Sequence, residues 1–381
     1  MAPAPPIAPV PPIPQDASPA DVAQRVADAA AAAAAAADAL AAQTVDTAVR
    51  TFAHYLALFR VRGPTRLVLS NCPSVSDGTL VALLAQSRDL VSLRIDQCPR
   101  LSCAALAPLA SHCPILKSLT LTKWAGMFHL DLGLPLLETF TVHRSATTEK
   151  DHLALRCPNL VHLNIDGVAM RDWMLHQILA QSGACLESLD ISCRSRLLRF
   201  SPNCFRVVPE HCPKLKVFGL RFAAISDSAL AMLVRGCSST LRSLSLVQVE
   251  GIMDGAIEAL AGCSRLDTLC LIDCGMLSVY SEQALLLLLK NCVALKRLVL
   301  SGNSSMSDAV LDAIASGPLI NTLQELCLYM FDRLTDDGLD RFSSALARSA
   351  SLRNVEFKWS LGSRHQRFPH FSSNYFPLLS F

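Results

Sequence analysis

The sequence predicts an α/β solenoid, a stack of short strand-plus-helix units sharing one continuous core. Three observations carry that prediction. An L-x-x-L-x-L spacing recurs along most of the chain, as in Leu90, Leu93 and Ile95, and points the apolar side chains of a short strand one way. Each such strand is followed by apolar residues at helical spacing, such as Leu101, Leu106 and Leu109, before the next opening leucine at Leu116. Cysteines recur in phase with the leucines, as Cys98 and Cys113 do in this unit. A unit of this kind buries its apolar side only against copies of itself, so the units must stack.

Taken in order, residues 1–43 open with A-P-A-P-P-I-A-P-V-P-P-I-P and continue into an alanine run, Ala29 to Ala37. That composition predicts a disordered arm. In residues 44–62, Val45, Val49, Phe52, Leu56 and Phe59 fall on one helical face, the expectation for an N-terminal capping helix over the first repeat. Residues 63–359 form the solenoid of about twelve repeats. It begins at Arg66-Leu67-Val68-Leu69 and continues from opening leucines at Leu90, Leu116, Leu137, Leu160, Leu186, Leu215, Leu241, Leu266, Leu295, Leu323 and Leu352. The spacing runs from 21 residues (Leu116 to Leu137) to 29 (Leu186 to Leu215), enough for a strand and a helix per unit. Ser76-Asp77, Ser226-Asp227, Ser307-Asp308 and Thr335-Asp336 stand at helix starts, where either side chain accepts free backbone N–H groups. Residues 122–136 are too short for a full helix and carry Gly126, Gly133 and Pro135; in residues 193–211, Pro202 and Pro209 bracket the helix position. Residues 360–381 hold several aromatics and no period, an irregular C-terminal tail.

Composition narrows function. A net charge of +2 argues against general nucleic-acid or anionic-membrane binding. Hydrophobic residues make up 51% of the chain but aromatics only 6%, which fits repeated leucine packing. The fifteen cysteines occupy repeated slots: Cys113, Cys157, Cys212, Cys263 and Cys292 lie three residues before an opening leucine, Cys237 four before, and Cys72, Cys98, Cys193 and Cys274 in the turn after a strand. They read as small buried hydrophobes, and with no C-x-x-C pair they imply no zinc site. So many unpaired thiols point to a reducing compartment, cytoplasmic or nuclear. No secretory signal or membrane span is read, the alanine run being flanked by Asp28 and Asp38.

No phosphate loop, nucleophile elbow or H-E-x-x-H is present, so neither a catalytic site nor a cofactor is expected. The strand residues flanking the inward leucines face the concave surface and become the candidate partner-binding residues. One half is polar: Thr139, Thr141 and His143, then His162, Asn164 and Asp166, then Ser188, Asp190 and Ser192, with Arg221 beyond. Two histidines and two aspartates there invite a metal, but nothing closes them into a ligand set, and a polar recognition patch is the preferred reading. The other half is apolar, with Val247, Cys270, Ile272, Val299, Cys327 and Tyr329 bordered by Arg297, Glu325, Glu356 and Lys358. Apolar anchors inside a charged border are what a protein partner needs.

The unit L-x-x-L-x-L-x-x-C-x-x-L-(S/T)-D-x-x-L-x-x-L-x-x-x-C-x-x-L, over about residues 65–357, resembles the cysteine-containing leucine-rich repeats of F-box/LRR proteins and their F-box-less relatives. The resemblance implies a right-handed leucine-rich-repeat horseshoe, with parallel strands on the concave face and helices on the convex face. It also implies a non-enzymatic scaffold whose concave face captures a protein substrate for a cullin–RING ubiquitin ligase, with a ligase adaptor and cullin as further partners. No L-P-x-E-type F-box opening precedes the repeats, so no adaptor-binding residues carry over. The alternative expectation is a regulatory scaffold for a signalling protein outside ubiquitination.

Overall fold

A computed structural model describes residues 64–124, 128–145, 148, 150–193, 200–274, 280–301, 307–329, 333–347, 349 and 351–358. The arm, the capping helix and the tail lie outside the described residues.

The strands run, in chain order, β1 (Arg66–Ser70), β2 (Ser92–Asp96), β3 (Ser118–Trp124), β4 (His129–Leu132), β5 (Thr139–Arg144), β6 (His152–Leu155) and β7 (His162–Asp166). Then follow β8 (Ser188–Ser192), β9 (Val217–Arg221), β10 (Ser243–Val247), β11 (Thr268–Ile272), β12 (Arg297–Ser301), β13 (Glu325–Tyr329) and β14 (Asn354–Lys358). Twelve of them form one parallel sheet in the order β1-β2-β3-β5-β7-β8-β9-β10-β11-β12-β13-β14. The fold is therefore an α/β solenoid. From β2 onward each strand of this sheet starts two residues after an opening leucine, and those leucines from Leu90 to Leu323 are buried. In-register neighbours such as Leu163↔Leu189 and Leu244↔Leu269 continue the leucine rows across the core. At about 4.8 Å per strand the sheet is about 50 Å wide along its stacking axis.

The helix starts behave in a way that intra-repeat capping does not describe. Ser76, Ser226, Ser307 and Thr335 cap their own helices by accepting a backbone N–H. The acidic residue beside three of these caps, Asp77, Asp227 and Asp308, instead reaches the following repeat, as do Asp172, Asp254 and Glu282. Asp77 Oδ1 accepts from Ser102 N at 2.8 Å, and Asp227 Oδ1 from Met253 N and Ala256 N, both at 2.9 Å. Glu282 Oε1 accepts from Ser307 N at 2.6 Å, and Asp308 Oδ1 from Thr335 N at 2.8 Å. Asp172 and Asp254 bond Ser201 N and Ser281 N in the same way. The links from Asp227, Asp254, Glu282 and Asp308 give an α-helix N-terminus a carboxylate, which its free N–H groups and dipole favour, while those from Asp77 and Asp172 hold the entry to a 3-10 turn. The row is a clasp between repeats.

Cysteine has a parallel role at the other end of the helices. Cys113 Sγ lies 3.5 Å from Ser87 O, Cys263 Sγ 3.9 Å from Val234 O and Cys292 Sγ 3.2 Å from Leu260 O, each carbonyl belonging to the preceding repeat. A thiol is small enough for the slot and is a weak donor to helix-end carbonyls. All fifteen cysteines are free, and all but Cys72 and Cys185 are buried.

Three local expectations are corrected. Leu101, Leu106 and Leu109 do not share one helix: a 3-10 turn (Cys103–Leu106) and a short helix (Leu109–His112) form instead, with Pro108 between them. Pro209 does not bracket a helix; it lies in the first turn of Val208–His211, where its missing N–H costs nothing. The convex side is not all helical. β4 and β6 form a second, two-stranded parallel sheet, His129↔His152 to Leu132↔Leu155, packed between the Cys103–Leu106 turn and the helix Asp172–Ser182. Burial alternates along β4, where Leu130 and Leu132 point inward, while in β6 Leu153, Ala154 and Leu155 are all buried. The loop joining β5 to β6 is pinned by a fully buried Arg144–Asp151 ion pair. Asp151 also accepts from Thr148 Oγ1 at 2.6 Å and Ala169 N at 3.1 Å, while the Arg144 guanidinium sits 5.3 Å from the Phe128 ring centroid.

Candidate interaction surface

Strand register places the candidate residues in three rows across the inner face of the large sheet. The first row includes His162, Arg297 and Glu325; the second Asn164, Asp190 and Val299; the third His143, Asp166, Arg221, Val247, Ile272 and Tyr329. All twelve candidates thus lie on one face, at positions set by the alternation of the strands.

The polar half is tied together by contacts between neighbouring strands. His143 Nδ1 is 3.3 Å from Asp166 Oδ2, and Arg221 donates to Asp190 Oδ2 at 2.7 Å. Asp190 leans over Gly219, where a Cβ would come within 2.9 Å of its carboxylate. Gly219 therefore makes room for the diagonal reach to Arg221. Asp166 and Asp190 are buried and engaged, so His143, His162, Asn164 and Arg221, with Thr139, Thr141 and Ser188, supply the accessible polar groups of this half. Among the described residues no group of three or more His, Cys, Asp or Glu side chains is placed to hold a metal ion.

The apolar half has a closed floor. Cys270, Val299 and Cys327 pack into a small cluster of their own, with Ile272 and Tyr329 half-buried against it. Val299 exposes only 4% of its surface, so it supports the strip and does not serve as an exposed anchor. Ser301 is recessed between Ile272 and Tyr329 and donates to Asp273 at 2.8 Å. The border is ionic: Arg297 Nε lies 3.0 Å from Glu325 Oε2, and the Tyr329 hydroxyl donates to Glu356 Oε2 at 2.9 Å. Burial, with Cys327 and Glu356 adding to it, pushes the Tyr329 phenol upward, so it stays protonated as a donor.

Burial also pushes the Cys113, Cys237, Cys263, Cys270, Cys274 and Cys327 thiols up to about 11 and Cys193 up to about 12. At neutral pH a thiol near 11 is ionised in about one molecule in ten thousand, too few for nucleophilic chemistry. A groove of about 580 Å³ lies at the rim, lined by Pro202, Ile225, Ser226, Asp227, Gly251 and Met253. Ser226 and Asp227 are already engaged there as caps for two helices.

One cluster escaped the sequence reading. On the small convex sheet the His129 and His152 rings stack at 4.6 Å, and His152 lies 5.6 Å from Trp173, which is half exposed. The alternation in H-L-D-L and H-L-A-L was the available signal.

Fold and face together define a leucine-rich-repeat type of α/β solenoid with a mixed polar and apolar inner surface. No family model matches the chain. A crystal structure of the Rad7 and Elc1 complex in yeast contains a similar chain, 16% identical, with a TM-score of 0.49 over 90% of this chain and 87% of that one. Among the described residues no helix is long and apolar enough to cross a membrane.

Proposed function

We propose that this protein is a non-enzymatic interaction scaffold whose inner sheet face binds a protein partner. The observation that supports this most directly is the Ile272–Tyr329 strip: half-buried apolar side chains on a rigid sheet, inside a border of Arg297, Glu325 and Glu356. Anchors that are easily dehydrated, surrounded by polar groups, are the pattern of an interface centre and rim. The inert thiols and the committed polar groups of the rim groove agree with a binding role over a catalytic one.

The repeat subtype carries the finer reading. The phase of leucine and cysteine resembles F-box/LRR proteins, and on that basis the scaffold is a substrate-recognition or adaptor subunit of an SCF-type cullin–RING ubiquitin ligase, working in the cytoplasm or nucleus. Residues 1–62 hold no L-P-x-E opening, which supports a second reading, a regulatory scaffold for a signalling protein outside ubiquitination. Affinity capture of the full chain from native extract, read by mass spectrometry, separates the two. Cullin and adaptor peptides support the first; a stable partner without them supports the second. In either case Ile272→Asp with Tyr329→Asp abolishes capture while leaving the thermal melt nearly intact, and undiminished capture sinks the assignment of this face.

A further inference from the structure

The strip has a candidate occupant within the same chain. The third row runs Val247, Ile272, Ser301, Tyr329 and on to Lys358, the register partner of Tyr329. The described chain thus ends in the row that carries the anchors. Acidic groups outnumber basic ones around the strip: Asp273, Glu325 and Glu356 against Lys358 and Arg297, the latter itself paired to Glu325. A complementary ligand carries apolar anchors beside positive charge and no carboxylate. Residues 359–381 fit that description, with Arg364, Arg367, Phe368 and Phe371 close together and not one Asp or Glu. Residues 1–43 do not, holding Asp16, Asp21, Asp28 and Asp38 against Arg25 alone.

Distance agrees. β14 and β12 are two strand spacings apart, about 10 Å. The six residues from Trp359 to Arg364 span up to about 20 Å when extended. A segment tethered that closely sees its site at an effective concentration of order millimolar, so a contact of millimolar affinity in isolation is about half occupied.

We propose that residues 364–371 dock on the strip, with Phe368 and Phe371 against Ile272 and Tyr329 and the arginines facing Glu325, Glu356 and Asp273. The segment is then an internal competitor, and an external partner displaces it with the same chemistry, an aromatic or aliphatic anchor flanked by basic residues. The inference rests on reading this strip as the binding surface, but its test needs no external partner.

In the full chain, Phe368 is replaced by the photoreactive residue p-benzoylphenylalanine, and the irradiated protein is digested and mapped by mass spectrometry. The expected crosslinks fall within one chain on β11, β12 or β13. Their yield drops at least fivefold on adding Arg364→Glu and Arg367→Glu, substitutions that leave the solenoid itself untouched. Glu325→Lys with Glu356→Lys in that background restores it at least in part. Crosslinks confined to the first five repeats, or a yield indifferent to the charge reversals, overturn the proposal. Mixing with an isotopically heavy copy settles the remaining case: heavy-to-light crosslinks make a second copy the occupant and refute the internal contact. If crosslinking succeeds while partner capture ignores Ile272 and Tyr329, the proposed function fails and this inference stands.

Discussion

The clasp between repeats makes a prediction with an unusual sign. Met253 precedes the helix Asp254–Leu260 and supplies no side-chain cap of its own. Asp227 of the preceding repeat does that work, accepting from Met253 N and Ala256 N. Asp227→Ala removes the oxygen that accepts both bonds, and at about 1 kcal/mol per bond the loss is about 2 kcal/mol. Gly255 sits directly beneath this carboxylate, and a Cβ there would come 2.4 Å from Asp227 Oδ2. Gly255→Ala therefore expels the carboxylate and forfeits about the same 2 kcal/mol, against a helix-propensity gain of at most about 1 kcal/mol. Alone it destabilises by about 1 kcal/mol. Once Asp227 is alanine the obstruction is gone, and the same substitution stabilises by up to about 1 kcal/mol.

The cycle predicts a coupling of about 2 kcal/mol and a change of sign for Gly255→Ala between backgrounds. Repeat arrays open unit by unit, so the readouts are amide hydrogen exchange across Asp254–Leu260 together with the urea midpoint by circular dichroism. Equal costs for Gly255→Ala in both backgrounds would show that Asp227 does not hold the next helix.

Other perturbations have simpler outcomes. A thiol reagent added to the native chain should react quickly with Cys72 and Cys185, the two half-exposed cysteines, and with all fifteen only after denaturation; fast labelling of Cys263 or Cys292 would contradict the packing. Breaking the buried pair with Asp151→Ala should cost about 3–5 kcal/mol by stranding Arg144, whereas Arg144→Met with Asp151→Leu should recover much of that loss in chemical unfolding. Leu189→Ala, in the middle of the core, should cost about 3–5 kcal/mol and Leu352→Ala, half-buried at the last repeat, distinctly less; equal costs would mean that the core does not thin toward its C-terminal end.

The leucine frame was legible because period decides it: a buried residue at every opening position forces the same strand start in repeat after repeat. The candidate face was legible for the same reason, since alternation assigns Ile272 and Tyr329 to the inner surface without any knowledge of contacts. What could not be read depends on the offset between stacked units. Asp77, Asp227 and Asp308 looked like caps for their own helices because nothing in one repeat reveals that the next N-terminus lies within hydrogen-bond reach. Val299 looked like an anchor because the pattern marks facing and not depth; only the lateral packing with Cys270 and Cys327 shows it closed off. The small sheet was missed because H-L-D-L and H-L-A-L are four residues each, too short for periodicity to outweigh the expectation of a helix.

These distinctions separate the residues the fold uses from those it does not. The acidic clasps satisfy the N–H groups at helix starts, and the cysteine thiols reach carbonyls of the preceding repeat at helix ends. Both recur because backbone groups at helix termini need partners wherever a repeat recurs. Residues bound to that duty cannot vary with a partner, however conspicuous their chemistry appears in sequence. The inner-face rows carry no such duty: Ile272 is half-buried against a floor that is already closed without it, and His162 stands exposed on its strand. On the proposed function, side chains already held by their neighbours on a twelve-strand sheet lose little entropy when a partner arrives. On the proposed function, recognition is therefore sought in the rows between the leucines, and least of all in the buried thiols and the clasp carboxylates.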